Sequence, residues 1–223
     1  MKIFKHEQNM PKLPMLVVDE SSGKRQYVTP TGKKLPSVTT VLGHSKKQVI
    51  MDWRSRVGAE KANKIANRAG TRGTKFHSLL ESYIRNQDDL YLDIMPDMKQ
   101  AFHDAVPTLD KIDDILYMEA QLFSERIGLA GRTDVIGKFA KRRSIIDFKT
   151  SLKPKKKEWI DNYFEQGTAY SLMFEDMTNI KIANIVIIIS VDHEPEPQVF
   201  EVNRKDYIDS LLEKVRKYNE EVS

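Results

Sequence analysis

The sequence predicts an α/β fold, a mixed sheet flanked by helices and preceded by a helical N-terminal addition. Three observations carry this. Apolar residues recur at helical spacing up to about residue 114, whereas ILYMEAQLFSE, LAGRTDVIGKF and SIIDFKTS, from residue 115 onward, have the length and β-branched or aromatic content of strands. A helical stretch over 158–177 then leads to IANIVIIISVD, whose apolar run suits a strand buried on both faces. Finally, 223 residues with 40% hydrophobic and 30% charged content are enough to enclose a core, as one large domain or two small ones, and argue against disorder.

Taken in order, residues 15–29 read as a hairpin, with LPMLVV and KRQYVT flanking Glu20-Ser21-Ser22-Gly23. Pro30, Gly32 and Pro36 mark a loop, and Ser37 is placed to cap a short helical turn through Leu42. Residues 46–69 read as a helix with an apolar stripe at Val49, Ile50, Trp53, Val57, Ala62, Ile65 and Ala66. Gly70 and Gly73 are expected to break it, and Thr74 to cap the next helix, where Phe76, Leu79, Leu80, Tyr83 and Ile84 share a face. Residues 86–114 are polar and acidic, with Pro96 and Pro107 bracketing a further helix. The second and third strands meet at a turn over 140–143 that contains neither Gly nor Asn. QVFEV is expected at a sheet edge, and Arg204–Glu221 as a closing amphipathic helix. The expected division is an N-terminal addition over 1–70 and a core over 71–223, packed as one unit.

Composition closes several routes. The chain has no cysteine, which excludes disulfides, thiol catalysis, Cys-bound zinc and Cys-ligated iron–sulfur clusters. Its longest aliphatic run, Ile185–Ile189, is far below the ~18 residues of a membrane span. The start, MKIFKHEQNMPKLP, lacks an apolar signal core and an Arg/Ser-rich transit pattern, so a cytoplasmic location is expected. The net charge of +4 conceals segregation: nine Lys/Arg over 46–75 and nine over 138–157 flank an acidic stretch over 81–125. That pattern suits a polyanion held on one side of the molecule, although any single basic run is also compatible with an ordinary solvated face.

Asp147 and Lys149 are two apart on one strand and project from the same face. Asp134, on the preceding strand, is as far from the midpoint of Ala140 and Lys141 as Asp147 is. A symmetric hairpin therefore sets the two carboxylates opposite each other, with Cβ atoms about 5 Å apart. Carboxylates that close repel unless they share a proton or bind a cation, and oxygen donors favour Mg²⁺ or Mn²⁺. The ordinary alternative is a solvated hairpin end or a salt-bridge cluster, but Ile145, Ile146 and Phe148 around Asp147 make an unpaired acid there expensive. His77, with Glu81 one turn on, and the pair Gln166 and Tyr170, also one turn apart, are unremarkable alone: a packed histidine and a polar helix edge.

In this order the residues resemble a family. Gly73-Thr-Lys-Phe-His77-Ser-Leu-Leu-Glu81, Gly131-Arg-Thr-Asp134, Asp147-Phe-Lys149-Thr-Ser and Gln166-Gly-Thr-Ala-Tyr170 resemble the histidine, GxxD, DxK and QxxxY motifs of the PD-(D/E)XK nucleases, RecB-type branch. LPSVTTVLG, Trp53-Arg54 and AGTRGTKFH look like phage exonucleases and the mitochondrial genome maintenance exonuclease. The likeness spans about residues 35–200. It implies a restriction-endonuclease-like core with a DNA-contacting addition over 1–70, and a metal-dependent DNA exonuclease, phage-encoded, acting on single-stranded or free-ended DNA. It further implies that His77, Asp134, Asp147 and the Phe148 carbonyl ligate Mg²⁺ or Mn²⁺, with Glu81 assisting a second ion. By the same likeness Asp134, Asp147 and Lys149 are catalytic, Lys149 acting on the attacking water. Gln166, Tyr170, Thr150, Ser151, Arg132, Arg72 and Lys153 shape the site or contact DNA, and Glu119 matches an acidic position without a role. The four-cysteine iron–sulfur cluster of some relatives is impossible here.

Rival readings are an endonuclease or the nuclease subunit of a helicase–nuclease complex, for which no Walker loop is present, and a non-catalytic DNA-binding module with a relic site. No membrane partner is expected, and a replication or recombination protein remains an unnamed candidate partner. Trp53, Trp159, Tyr163 and Phe164 offer rings for base stacking, against core packing as the ordinary alternative.

Overall fold

The chain is described by a computed structural model covering residues 2–21, 23–87 and 96–222. Ser22 of the first turn and residues 88–95 of the acidic stretch lie outside the described residues. Two sheets and six α-helices are described. A small antiparallel sheet is formed by β1 (Val17–Asp19), β2 (Gln26–Val28) and β3 (Lys34–Pro36). The expected hairpin is there. The segment read as a loop adds a third strand, because the turn at Thr29–Gly32 closes tightly enough to return Lys34 opposite Val28.

Ser37 caps α1 (Val38–His44) as expected, its hydroxyl accepting from the Thr40 amide at 3.0 Å. The following helical region is divided differently from the expectation. It splits at Gly58, whose φ of +84° ends α2 (Lys47–Val57), and α3 (Ala59–Ile84) then runs unbroken through Gly70, Gly73 and Thr74. Position 70, the expected limit of the N-terminal addition, thus lies inside α3. The apolar stripe of 46–69 does not pack as a stripe either: of its members only Ala62 is buried, and Val49 and Ile50 are exposed. The helix α4 (Pro96–Leu109) carries Pro107 in its last turn and not beyond its end.

The core is a five-stranded sheet in the order β4 (Ile112–Ser124), β5 (Leu129–Phe139), β6 (Arg142–Ser151), β7 (Asn184–Val191) and β8 (Gln198–Asn203). All neighbours are antiparallel except β6 and β7, which α5 (Asp161–Thr178) joins as the parallel crossover. β4 begins three residues earlier than expected, through an irregularity between Asp113 and Tyr117. An N-terminal strap pairs beside it: the Glu7 amide donates to the Ile115 carbonyl and the Ile115 amide to the Lys5 carbonyl, both at 2.8 Å. β8 is the opposite edge, as its short sequence suggests.

Two cores follow from strand alternation. Ile136, Ile145, Ile187 and Ile189 face α1, α5 and α6 (Ile208–Val222), while Val135, Ile146, Phe148, Val186 and Ile188 face α3 and α4. β7 is buried on both faces along seven of its residues, which is why its run has no polar alternation. Each such side chain contributes about 1.5–3 kcal/mol. Nearly all of α5 from Phe164 to Phe174 is buried, because it lies between the sheet and the helices α1 and α6.

Candidate active site

The β5–β6 hairpin sets the site. Its ladder pairs Phe139 with Arg142 and continues to Val135 with Ile146, the register that the symmetric turn requires. Ala140 and Lys141 both take positive φ, 45° and 69°, as a two-residue turn matched to strand twist demands. Past Val135 a side chain replaces the backbone ladder: Asp134 Oδ2 accepts from the Phe148 amide at 2.7 Å. Asp134, Asp147 and Lys149 thereby share one face, where His77 reaches in from α3 and Gln166 and Tyr170 from α5.

These six residues line a cavity of about 350 Å³ together with Arg132, Gln121, Gly131 and Ser37–Thr39. Lys149 Nζ ion-pairs with Asp147 Oδ2, and Gln166 Nε2 donates to Asp147 Oδ1 at 3.2 Å and to the Tyr170 hydroxyl at 3.0 Å. His77 Nδ1 stands 3.5 Å from Asp134 Oδ2. Tyr170 is buried against Gly131, where a Cβ would come within 2.8 Å of its ring. The glycine of GxxD is therefore the floor on which the QxxxY tyrosine lies.

Electrostatics divide the two acids. Burial, reinforced by Asp134 and opposed by Lys149, pushes the Asp147 carboxyl up to about 6. Burial also opposes ionisation of Asp134, but His77, Lys149 and the Phe148 amide outweigh it and hold it below the usual carboxylate range. The cations answer in kind: burial disfavours charge on His77 and Lys149, and the two carboxylates overcome it and raise both.

A hard divalent cation fits this donor set. Asp147 Oδ2 is fully buried and, although ion-paired, accepts no well-aligned hydrogen bond. Carboxylate oxygens are the donors such an ion takes, and the His77 imidazole stands beside them. Among the described residues, however, no three His, Asp or Glu side chains are drawn together as a ready cage.

The remaining expected residues are placed as follows. Glu81 pairs with Arg85 at 2.8 Å, and the Phe148 ring packs edge-on to His77 while its amide serves Asp134. Arg132 pairs with Glu119 at 2.9 Å. Arg72 does not join the carboxylates; it ion-pairs with Asp192 in a separate cavity of about 380 Å³ between α3, α4 and the end of β7. Thr150 lies beside Gly73, Ser151 Oγ donates to the Lys153 carbonyl at 2.7 Å, and Lys153 is exposed on the connection that follows. Of the aromatic residues, Phe164 is core, Trp159 is exposed, and Tyr163 is half-buried with its ring 5.3 Å from Lys149 Nζ. Two contributions escaped sequence reasoning. Val18, Arg25 and Tyr27 of the small sheet wall the cavity, and no local pattern announces a contact over a hundred residues away. The second is the contact of Tyr163 with Lys149: the residue is expected as a ring for base stacking, and its place over the ammonium is not.

No family model matches the chain, and no curated protein matches it. Among solved structures, the crystal structure of SSO0001 aligns at 16% identity with a TM-score of 0.46, covering 82% of this chain and 74% of that one. No described helix is long and apolar enough to cross a membrane.

Proposed function

We propose that this chain is a divalent-metal-dependent exodeoxyribonuclease with a PD-(D/E)XK core of the RecB-type branch, hydrolysing phosphodiester bonds from free ends of single-stranded DNA. The observation that carries the reading is the gathering of Asp134, Asp147, Lys149, His77, Gln166 and Tyr170 around one cavity, from four elements and in the order of the four motifs. A divalent cation held by His77, Asp134, Asp147 and the Phe148 carbonyl, with Glu81 one turn along α3 from His77 and paired with Arg85, would acidify water and neutralise charge on the phosphate. With a cation taking up the charge of Asp147, Lys149 would serve as a fixed positive charge and donor beside the attacking water. Gln166 orients Asp147 through Oδ1 and is itself oriented by Tyr170. Arg132 lines the cavity, exposed and held by Glu119 through Nε, which leaves its terminal guanidinium N–H groups to meet the phosphate backbone. The walls contributed by the small sheet, α3 and α5 bound the approach, which favours an entering end.

End-labelled linear single strands, linear duplexes and closed circular single strands, each incubated with Mg²⁺ or Mn²⁺, test this. Linear strands are degraded stepwise and circles survive. Rapid cutting of circles makes the protein an endonuclease; no cutting of any substrate makes it a binding module. Asp147→Asn loses cleavage together with Mn²⁺ binding by calorimetry, whereas Lys149→Ala loses cleavage and keeps Mn²⁺ binding.

A further inference from the structure

The connection from β6 to α5 is built to a purpose that the cavity does not use. It exposes Leu152 at its start and Trp159 at its end, at 60% and 59%. Between them stand Lys153, Lys155, Lys156 and Lys157, for none of which an ion pair is described, with Glu158 as the one acid in the segment. Large apolar side chains and unpaired lysines in a solvent-facing segment usually imply mobility. This one is pinned. Gln198 of β8 accepts from the Lys155 amide at 2.6 Å and donates to its carbonyl at 3.0 Å. Ser151 Oγ holds the Lys153 carbonyl, the Trp159 amide closes a turn on the Lys156 carbonyl at 3.0 Å, and buried Ile160 anchors the far end.

The segment is also close to the carboxylates. Leu152 is three residues from Lys149, within about 10 Å along the chain. Tyr163, whose ring covers the Lys149 ammonium, follows Trp159 by four residues. A lysine of a second element also reaches this side: Lys46, ahead of α2, donates to Asn162 Oδ1 at 2.9 Å. Lys156 Nζ lies 5.3 Å from the centre of the Trp159 ring, leaving the indole supported and still exposed.

We infer that this pinned segment is a stacking platform for single-stranded DNA, with an unpaired base lying on the Trp159 indole and the flanking phosphates on Lys153, Lys155, Lys156 and Lys157. The charge selects a polyanion, and the exposed indole selects one that offers flat, unpaired bases; a duplex keeps its base faces covered. The inference rests on the reading of the chain as an enzyme of single-stranded DNA and names the surface that holds the strand outside the cavity.

The test is equilibrium binding of the full chain in EDTA, where nothing is cleaved. The probes are an oligothymidylate, an abasic oligomer of equal length, a hairpin duplex and polyglutamate. Trp159→Ala is expected to raise Kd for oligothymidylate by about fivefold or more, the low end for one lost stack, leaving the abasic oligomer, the duplex and polyglutamate within about twofold. Trp159→Phe restores the oligothymidylate affinity. Equal losses on oligothymidylate and any other probe, no loss at all, or a loss that phenylalanine fails to restore would each overturn the platform. Because no divalent ion is present, a protein without nuclease activity can pass this test and an active nuclease can fail it, so the two readings fall separately.

Discussion

Asp147 has the most demanding surroundings of any residue in the cavity. Its side chain is 2% exposed, a second carboxylate shares its face, and its counter-charge is a single lysine. Its folded-state value, raised from 3.8 to about 6, means that the folded protein binds this proton more tightly than the unfolded chain. The stabilisation is present below the unfolded-state value and is lost as pH rises through about 6, so the ionised form is the disfavoured one at neutral pH. Asp147→Asn removes the charge and keeps the shape. In EDTA at pH 7.5 the variant should therefore melt above wild type, the margin shrinking toward pH 4, as followed by circular dichroism. Added Mg²⁺ should reverse the ranking, since it stabilises only the protein that binds it. An asparagine variant that melts lower at pH 7.5 would show the Lys149 ion pair outweighing burial.

At the scale of elements, glycines separate what space requires from what it tolerates. A Cβ on Gly131 would meet the Tyr170 ring at 2.8 Å, and one on Gly167 would meet Ile185 Cγ2 at 2.3 Å, where α5 lies on β7. Around Gly70, inside α3, nothing lies within 4 Å. Gly131→Ala and Gly167→Ala should each cost about 1–3 kcal/mol in urea unfolding, whereas Gly70→Ala should gain about 0.5–1. The same contrast explains which elements were legible. The expected break at Gly70 and Gly73 fails because each interior glycine costs only about 1 kcal/mol, which the buried turns from Phe76 to Ile84 offset. The actual break, Gly58, requires a left-handed φ, and nothing in the composition distinguishes it from the other two. The β5–β6 register was readable because Asp134 and Asp147 must face one another about a turn, even though Ala140 and Lys141 are poor turn residues. Strand pairing on both sides overrides the local preference. The four motifs could be placed on their elements for the same reason, since each depends on spacing within one helix or strand. The wall from the small sheet could not, because it is a tertiary contact between β2 and the cavity.

Over the whole molecule the charge segregation becomes geometry. Some basic residues of the 138–157 stretch are engaged: Lys138 pairs with Asp114 at 2.6 Å, Arg142 with Glu201, and Lys149 with Asp147. The lysines on the β6–α5 connection have no such partners described, and those of α2 and the first half of α3 lie mostly exposed. A strand tracking this surface would release counterions from its phosphates, so the logarithm of affinity should fall linearly with the logarithm of salt, by about 0.7 for each single-strand contact. Replacing Lys155, Lys156 and Lys157 with glutamate should flatten that slope by about 2, three contacts' worth, in titrations of oligothymidylate between low and moderate salt in EDTA. Lys138→Gln is the control. It removes one lysine from the same basic stretch, but one already held by a carboxylate, and its slope should equal that of wild type. If both variants shift the slope alike, affinity follows net charge alone and the position of these lysines beside β6 is incidental. If neither does, the segment is a solvated face and the strand approaches the carboxylates from the side of α3.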